Sequence, residues 1–155
     1  MRRVLLSLAA VAATVAAASP ALANEARVEA RGGVIWLDEE AEAVAGVAAG
    51  YDFDLGSSAF AGVEVSADKV LISDTRVAFG FNARAGVKLA EASKLYAIGG
   101  YNTKACDLCE GSWGIGAGLQ QNFGSSLYGK VEYRHNFVDN SFDTNAVVAG
   151  LGMRF

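Results

Sequence analysis

Thr144-Asn-Ala-Val-Val-Ala-Gly-Leu-Gly-Met-Arg-Phe155 decides how the rest of the sequence is read. Side chains of an extended strand alternate between its two faces. Phe155, Met153, Leu151, Ala149 and Val147 therefore share one face, and Arg154, Gly152, Gly150, Val148 and Ala146 share the other. The first face is wholly apolar. The second is built of small residues and ends in a charge. A strand of this kind fits poorly at the edge of a soluble sheet, where unpaired backbone groups invite aggregation. It fits a sheet closed on itself, in which the last strand pairs with the first and no edge remains.

Working back from that strand, the sequence reads as eight alternating runs joined by seven short polar connections. The first run, Ala26 to Trp36, sets Val28, Ala30, Val34 and Trp36 against Arg27, Glu29 and Arg31, and Asp38-Glu39-Glu40 follows as a connection. The second, Glu42 to Asp54, sets Val47, Tyr51 and Phe53 against Gly46, Gly50 and Asp52, before a turn at Leu55 to Ser58. The third, Ala59 to Lys69, places Glu64 opposite Val63 and Val65. The fourth, Arg76 to Leu89, is the most regular, with Val77, Phe79, Phe81 and Val87 on one side and Arg76, Gly80, Arg84 and Lys88 on the other. The fifth runs from Lys94 to Lys104 and the sixth from Trp113 to Gln120; a loop from Ala105 to Gly111 lies between them. In the seventh, Lys130, Glu132 and Arg134 alternate with Val131 and Tyr133. Each run is about 10 to 13 residues, enough for a tilted strand across a bilayer. The second, fourth and sixth connections are small turns, and the others are longer or more acidic. That asymmetry predicts turns and both strand termini at one end of a barrel and loops at the other.

The closing strand, with Phe155 behind alternating apolar residues, and the Tyr133-Arg134 pair of the seventh run resemble those of small bacterial outer-membrane barrels of the opacity-protein and OmpA/OmpX kind, a porin-like superfamily. The resemblance is one of pattern and spans residues 24–155. It implies an all-β fold: an eight-stranded antiparallel transmembrane up-and-down β-barrel in the bacterial outer membrane. It also implies that Leu151, Met153 and Phe155 are a C-terminal assembly signal read by the barrel-assembly machinery, although Met153 stands where the family more often has an aromatic residue. The implied surroundings are outer-membrane lipid and lipopolysaccharide. The implied role is structural or at the surface: envelope integrity, or contact with a host or with lipopolysaccharide through short acidic loops. No host ligand, cofactor or enzymatic activity is implied.

The other end of the sequence agrees. Arg2 and Arg3 precede an apolar stretch from Val4 to Ala18, and Ala21-Leu22-Ala23 is an A-x-A cleavage site. This predicts a secretory signal peptide over residues 1–23 and one barrel domain over residues 24–155. The whole sequence carries a net charge of −4, and loss of Arg2 and Arg3 makes the remainder more acidic, so nucleic acid is an unsuitable partner. Pro20 is the single proline and falls in the leader, which suits a sheet without edges.

Alternation alone leaves two ways to fill the barrel. A soluble periplasmic lipocalin-like barrel, binding a ligand inside, points its apolar residues inward. The membrane barrel reverses this. The glycines favour the reversal, since twelve of 18 lie on the charged face. An eight-stranded barrel has room only for its own side chains, so large inner residues require small neighbours. The aromatics agree: Trp36, Tyr51, Phe53, Trp113 and Tyr133 sit toward run ends on the apolar face, as interface girdles do. The expected lumen then contains Arg27, Glu29, Arg31, Glu64, Arg84, Lys88, Lys130, Glu132, Arg134 and Arg154, a plug of ion pairs. Acids are fewer in this set, so Glu64 and Glu132 are each expected to serve more than one cation.

Other candidate chemistry reads more plainly. Cys106-Asp-Leu-Cys109 lacks the helix that a redox C-x-x-C needs and the second ligand pair that zinc needs, with His135 as a remote third ligand. In an oxidising compartment it reads as a loop disulfide. His135 is the single histidine; with Asp139 and Ser141 nearby in sequence it is the one candidate for a lipid-modifying barrel enzyme, and otherwise an interfacial polar residue. Gly114-x-Gly116-x-Gly118 has period two and opens no helix, so it reads as lumen packing rather than a phosphate loop. Asp38-Glu39-Glu40 reads as a solvated loop tip rather than a cation site.

Overall fold

The computed structural model describes residues 24–37, 40–90, 92–106, 109–138 and 142–155. The expected signal peptide lies outside these residues, as do Asp38, Glu39, Asp139 and Ser141. The described chain forms eight strands: β1 (Glu25–Leu37), β2 (Glu40–Leu55), β3 (Ala59–Val70), β4 (Ala78–Ala90), β5 (Ser93–Asn102), β6 (Ser112–Phe123), β7 (Leu127–Val138) and β8 (Thr144–Arg154). They follow one another around a closed barrel, each antiparallel to the next. β8 closes on β1 from Arg27↔Arg154 to Trp36↔Asn145. The seam ends in two backbone bonds, Phe155 N to Ala26 O at 2.9 Å and Ala26 N to Phe155 O at 3.2 Å.

The strand boundaries correct the sequence reading in places. Glu40, expected in a connection, already belongs to β2 and pairs with Leu37, so the first loop is short as well as acidic. Arg76 and Val77, expected in the fourth run, precede β4. There Asp74 takes a positive φ of 61°, and the Thr75 hydroxyl donates to Val70 O at 2.7 Å, tying the loop back onto β3. Arg76 N donates to Ala105 O of the neighbouring loop, and the β3–β4 pairing runs only as far as Asp68↔Ala78. Lys104 likewise falls beyond the end of β5.

The two faces are sharply different. Phe81, Ile115 and Leu151 on the outer face are 57%, 58% and 71% exposed, whereas Arg27 and Glu64 on the inner face are 0% and 1% exposed. This is the reverse of a lipocalin-like interior and overturns that alternative. Aromatic residues flank the outer aliphatic band. Toward the loop end Tyr101 packs on Trp113 with ring centroids 5.4 Å apart, and Trp36 lies 6.4 Å from Tyr133. Toward the turn end Tyr51 packs on Phe53 at 5.0 Å.

Candidate functional site

The lumen is where the charged residues meet. Strand parity puts Arg27, Glu29 and Arg31 of β1 on the inner face, with Glu64 of β3, Arg84 and Lys88 of β4, Lys130, Glu132 and Arg134 of β7, and Arg154 of β8. Glu64 is the hub. Its carboxylate accepts from Arg27 Nη1 at 2.7 Å, Arg31 Nη1 at 3.0 Å, Arg134 Nη2 at 3.1 Å and Lys130 Nζ at 3.2 Å. Four cations on one buried carboxylate need further anions, and these stand close by. Lys130 Nζ lies 2.7 Å from Glu29 and 3.4 Å from Glu132, and Arg134 Nε donates to Glu132. Two phenols complete the acids' bonding: Tyr128 donates to Glu29 at 2.7 Å and Tyr96 to Glu132 at 2.8 Å.

A second cluster fills the turn end. Asp52 accepts from Arg84 Nε at 2.8 Å and from Lys94 Nζ at 3.1 Å. Glu25 joins Lys94 at 2.7 Å and Arg154 at 2.8 Å, and Lys88 pairs with Asp54 at 2.6 Å at the mouth. At the other end Arg31 reaches Asp68 through Nε at 2.8 Å. The acids Glu25, Asp52, Asp54 and Asp68 thus make good the shortage inferred from sequence. Their parity places them on the inner face, Glu25 just ahead of Arg27 and Asp52 two positions before Asp54, yet the expected lumen set omitted them, as it omitted Lys94, Tyr96 and Gln120.

Small residues create the room. A Cβ on Gly118 would stand 2.4 Å from the ring of Tyr96, and one on Gly50 would stand 2.5 Å from the Arg27 guanidinium. The Arg84 guanidinium lies 4.7 Å from the Tyr96 ring centroid and 5.3 Å from that of Phe60, so cation–π contact adds to the ion pairs. Large cations, aromatic rings and glycines are parts of one packing solution.

Other candidates lie away from this network. Cys106 and Cys109 are joined in a disulfide, which removes both sulfurs from metal binding. His135 is at the loop end of β7, with Nδ1 2.9 Å from Asn145 Oδ1 and Nε2 3.5 Å from Asp143. Tyr133 donates to the same Asn145 oxygen at 2.7 Å. Leu151, Met153 and Phe155 all lie on the outer face and are exposed.

The closed eight-strand barrel with charges inside and an apolar exterior has close structural counterparts. The fold is that of the small eight-stranded outer-membrane barrels. The chain is similar to the N-terminal barrel domain of Pseudomonas aeruginosa OprF, with a TM-score of 0.62 and 15% identity over 84% of this chain and 97% of that one. It is similar to Ail, the attachment invasion locus protein of Yersinia pestis, with a TM-score of 0.59 and 15% identity over 85% and 97%. Neisserial surface protein A matches with a TM-score of 0.60 and 12% identity over 84% and 95%. A de novo designed transmembrane barrel matches as well, with a TM-score of 0.59 and 17% identity. A likeness shared with a designed barrel is one of architecture. No family model and no curated protein matches the sequence.

Proposed function

We propose that this protein is exported by cleavage of residues 1–23 and resides in the bacterial outer membrane as a non-conducting barrel with a structural or surface role. The observation that carries the reading is the pairing of an apolar, aromatic-flanked exterior with an interior filled by ion pairs. Such an exterior is stable only against lipid, because contiguous apolar surface of this extent does not stay in water. The surroundings are outer-membrane lipid and lipopolysaccharide, and the barrel-assembly machinery is the partner during biogenesis. The short loops favour envelope integrity, or limited surface contact, over a large adhesive surface. Heat-modifiable gel mobility of envelope fractions tests the location: a compact fast-migrating band before boiling is expected, and recovery in the aqueous periplasm would overturn the reading. The reading includes no catalysis. His135→Ala should leave the outer-membrane lipid composition unchanged, and an altered acylation pattern would establish the lipid-modifying alternative.

A further inference from the structure

The packed charges of the lumen stop short of its loop end. A cavity of about 660 Å³, the size of a small-molecule site, stands there above Arg31, Asp68 and Arg134. Five consecutive strands give it apolar side chains: Val138 of β7, Val148 of β8, Ile35 and Leu37 of β1, Val44 of β2 and Val70 of β3. Polar residues are interleaved with them, Asn102, Asn136 and Thr144 among them. Lipid contact does not account for the apolar set, because strand parity places it on the same inner face as Arg31, Asp68 and Arg134.

The charge left over at this cavity is negative. Its cations are engaged from below: Arg31 uses Nε and Nη2 on Asp68 and Nη1 on Glu64, and Arg134 uses Nε on Glu132 and Nη2 on Glu64. The carboxylates of the mouth are different. Glu110 lines the cavity, is exposed, and has no ion-pair partner among the described residues. Glu40 and Glu42 are the register partners of Leu37 and Ile35, and residues directly opposite one another share a face, so both carboxylates belong to the inner side at the height of the cavity. They too are exposed and without an ion pair among the described residues. β2 and β6 stand opposite each other in the ring of eight, so Glu40 and Glu42 flank the mouth on one side and Glu110, just ahead of β6, on the other. The bases of this end, Lys69, Arg76 and Lys104, belong to the β3–β5 sector, and none of them lines the cavity. A cleft with low-dielectric walls and one sign of charge at its mouth concentrates the opposite charge.

We infer that the loop-end cavity binds a small organic cation with an apolar body, its ammonium drawn to the carboxylates of the mouth and its body set among Ile35, Val44, Val70 and Val148. This goes beyond the structural role proposed above. The sequence holds four isoleucines, which report separately: Ile35 in the cavity, Ile72 in a loop, Ile98 in the deep lumen and Ile115 on the outer face. Methyl-labelled isoleucine spectra test the inference, recorded in nanodiscs of zwitterionic lipid, which has no net charge to draw cations. Hexylammonium should shift Ile35 saturably with Ile98 and Ile115 unmoved. Hexanol, which lacks the charge, and methylammonium, which lacks the body, should each bind at least several-fold more weakly. Glu42→Gln and Glu110→Gln, at exposed positions, should each weaken hexylammonium by about threefold, the worth of an exposed ion pair, and leave hexanol unchanged. Asp74→Asn removes the same charge from the exposed β3–β4 loop and should leave hexylammonium unchanged. Ala78→Leu, which adds bulk to the lining from β4, should weaken hexylammonium and hexanol together. Absence of a saturable shift at Ile35, or parallel unsaturating shifts at Ile35 and Ile115, would overturn the site. Hexanol binding as tightly as hexylammonium would overturn the charged head, and methylammonium doing so would overturn the apolar body. Equal weakening by Asp74→Asn would mean general attraction to an acidic surface, and an unchanged titration in Ala78→Leu would overturn the location.

Discussion

Glu64 shows how a single residue comes to organise an interior. Its carboxylate carries four cationic contacts between 2.7 and 3.2 Å, and its side chain is fully buried. Glu64→Gln keeps the shape but leaves those cations short of one charge in a site buried from bulk solvent. The barrel should lose about 3–5 kcal/mol, the cost of breaking a buried pair from one side. Glu42→Gln, at an exposed position, should change stability by less than about 0.5 kcal/mol. Urea unfolding of the detergent-folded protein compares the two, and equal effects would mean that the inner register is wrong. Gly118 makes the complementary point about space. Tyr96 is 2% exposed and tethered to Glu132, so it has no route away from a new methyl group. Gly118→Ala should cost about 1–3 kcal/mol by overpacking. Gly32→Ala, on the outer face with its nearest neighbour 3.5 Å away, should be close to neutral in the same titration.

At the scale of the strand, β8 joins closure to packing. Its outer side presents Val147, Leu151 and Met153, and its inner side is small enough to pass beneath Tyr128 and Lys130. Phe155 completes the seam through both of its backbone bonds to Ala26, and the neighbouring Arg154 anchors the inner side on Glu25. Deleting Phe155 removes those two bonds and, on the resemblance, the assembly signal. Envelope levels of the folded form should fall several-fold, measured by unboiled gel mobility. Wild-type levels would count against both the seam and the signal. The extra length of β2, 16 residues, follows from a first connection so short that pairing continues to Leu37↔Glu40.

For the molecule as a whole, the consequence of eight strands is a lumen too narrow to be both packed and open. The layers from Glu25 and Lys94 through Glu64 to Arg31 and Asp68 occupy its turn end and middle. In planar bilayers the protein should show no steady porin-like conductance. Large stable steps would show that the plug opens or that the barrel is larger. The cavity at the loop end does not alter this expectation, because it ends on the ion-paired Arg31, Asp68 and Arg134.

Period-two alternation made the strands, their order and their inward faces legible from sequence, because a strand shows each neighbour to opposite sides whatever surrounds it. The twelve inner glycines among 18 added the direction, since only a crowded interior needs them. Partners were a different matter. Arg27 meets Glu64 across 37 residues and Lys94 meets Glu25 across 69, separations at which spacing carries no signal. Register between strands decides such contacts, and register is a property of the closed sheet. The same holds for the balance of charge, which hung on the cations that Asp52 and Asp68 meet across the barrel. It holds for the loop-end cavity as well: apolar Ile35 and Val148 were visible in the sequence, but only closure of the barrel brought them around one space with Asn102 of β5.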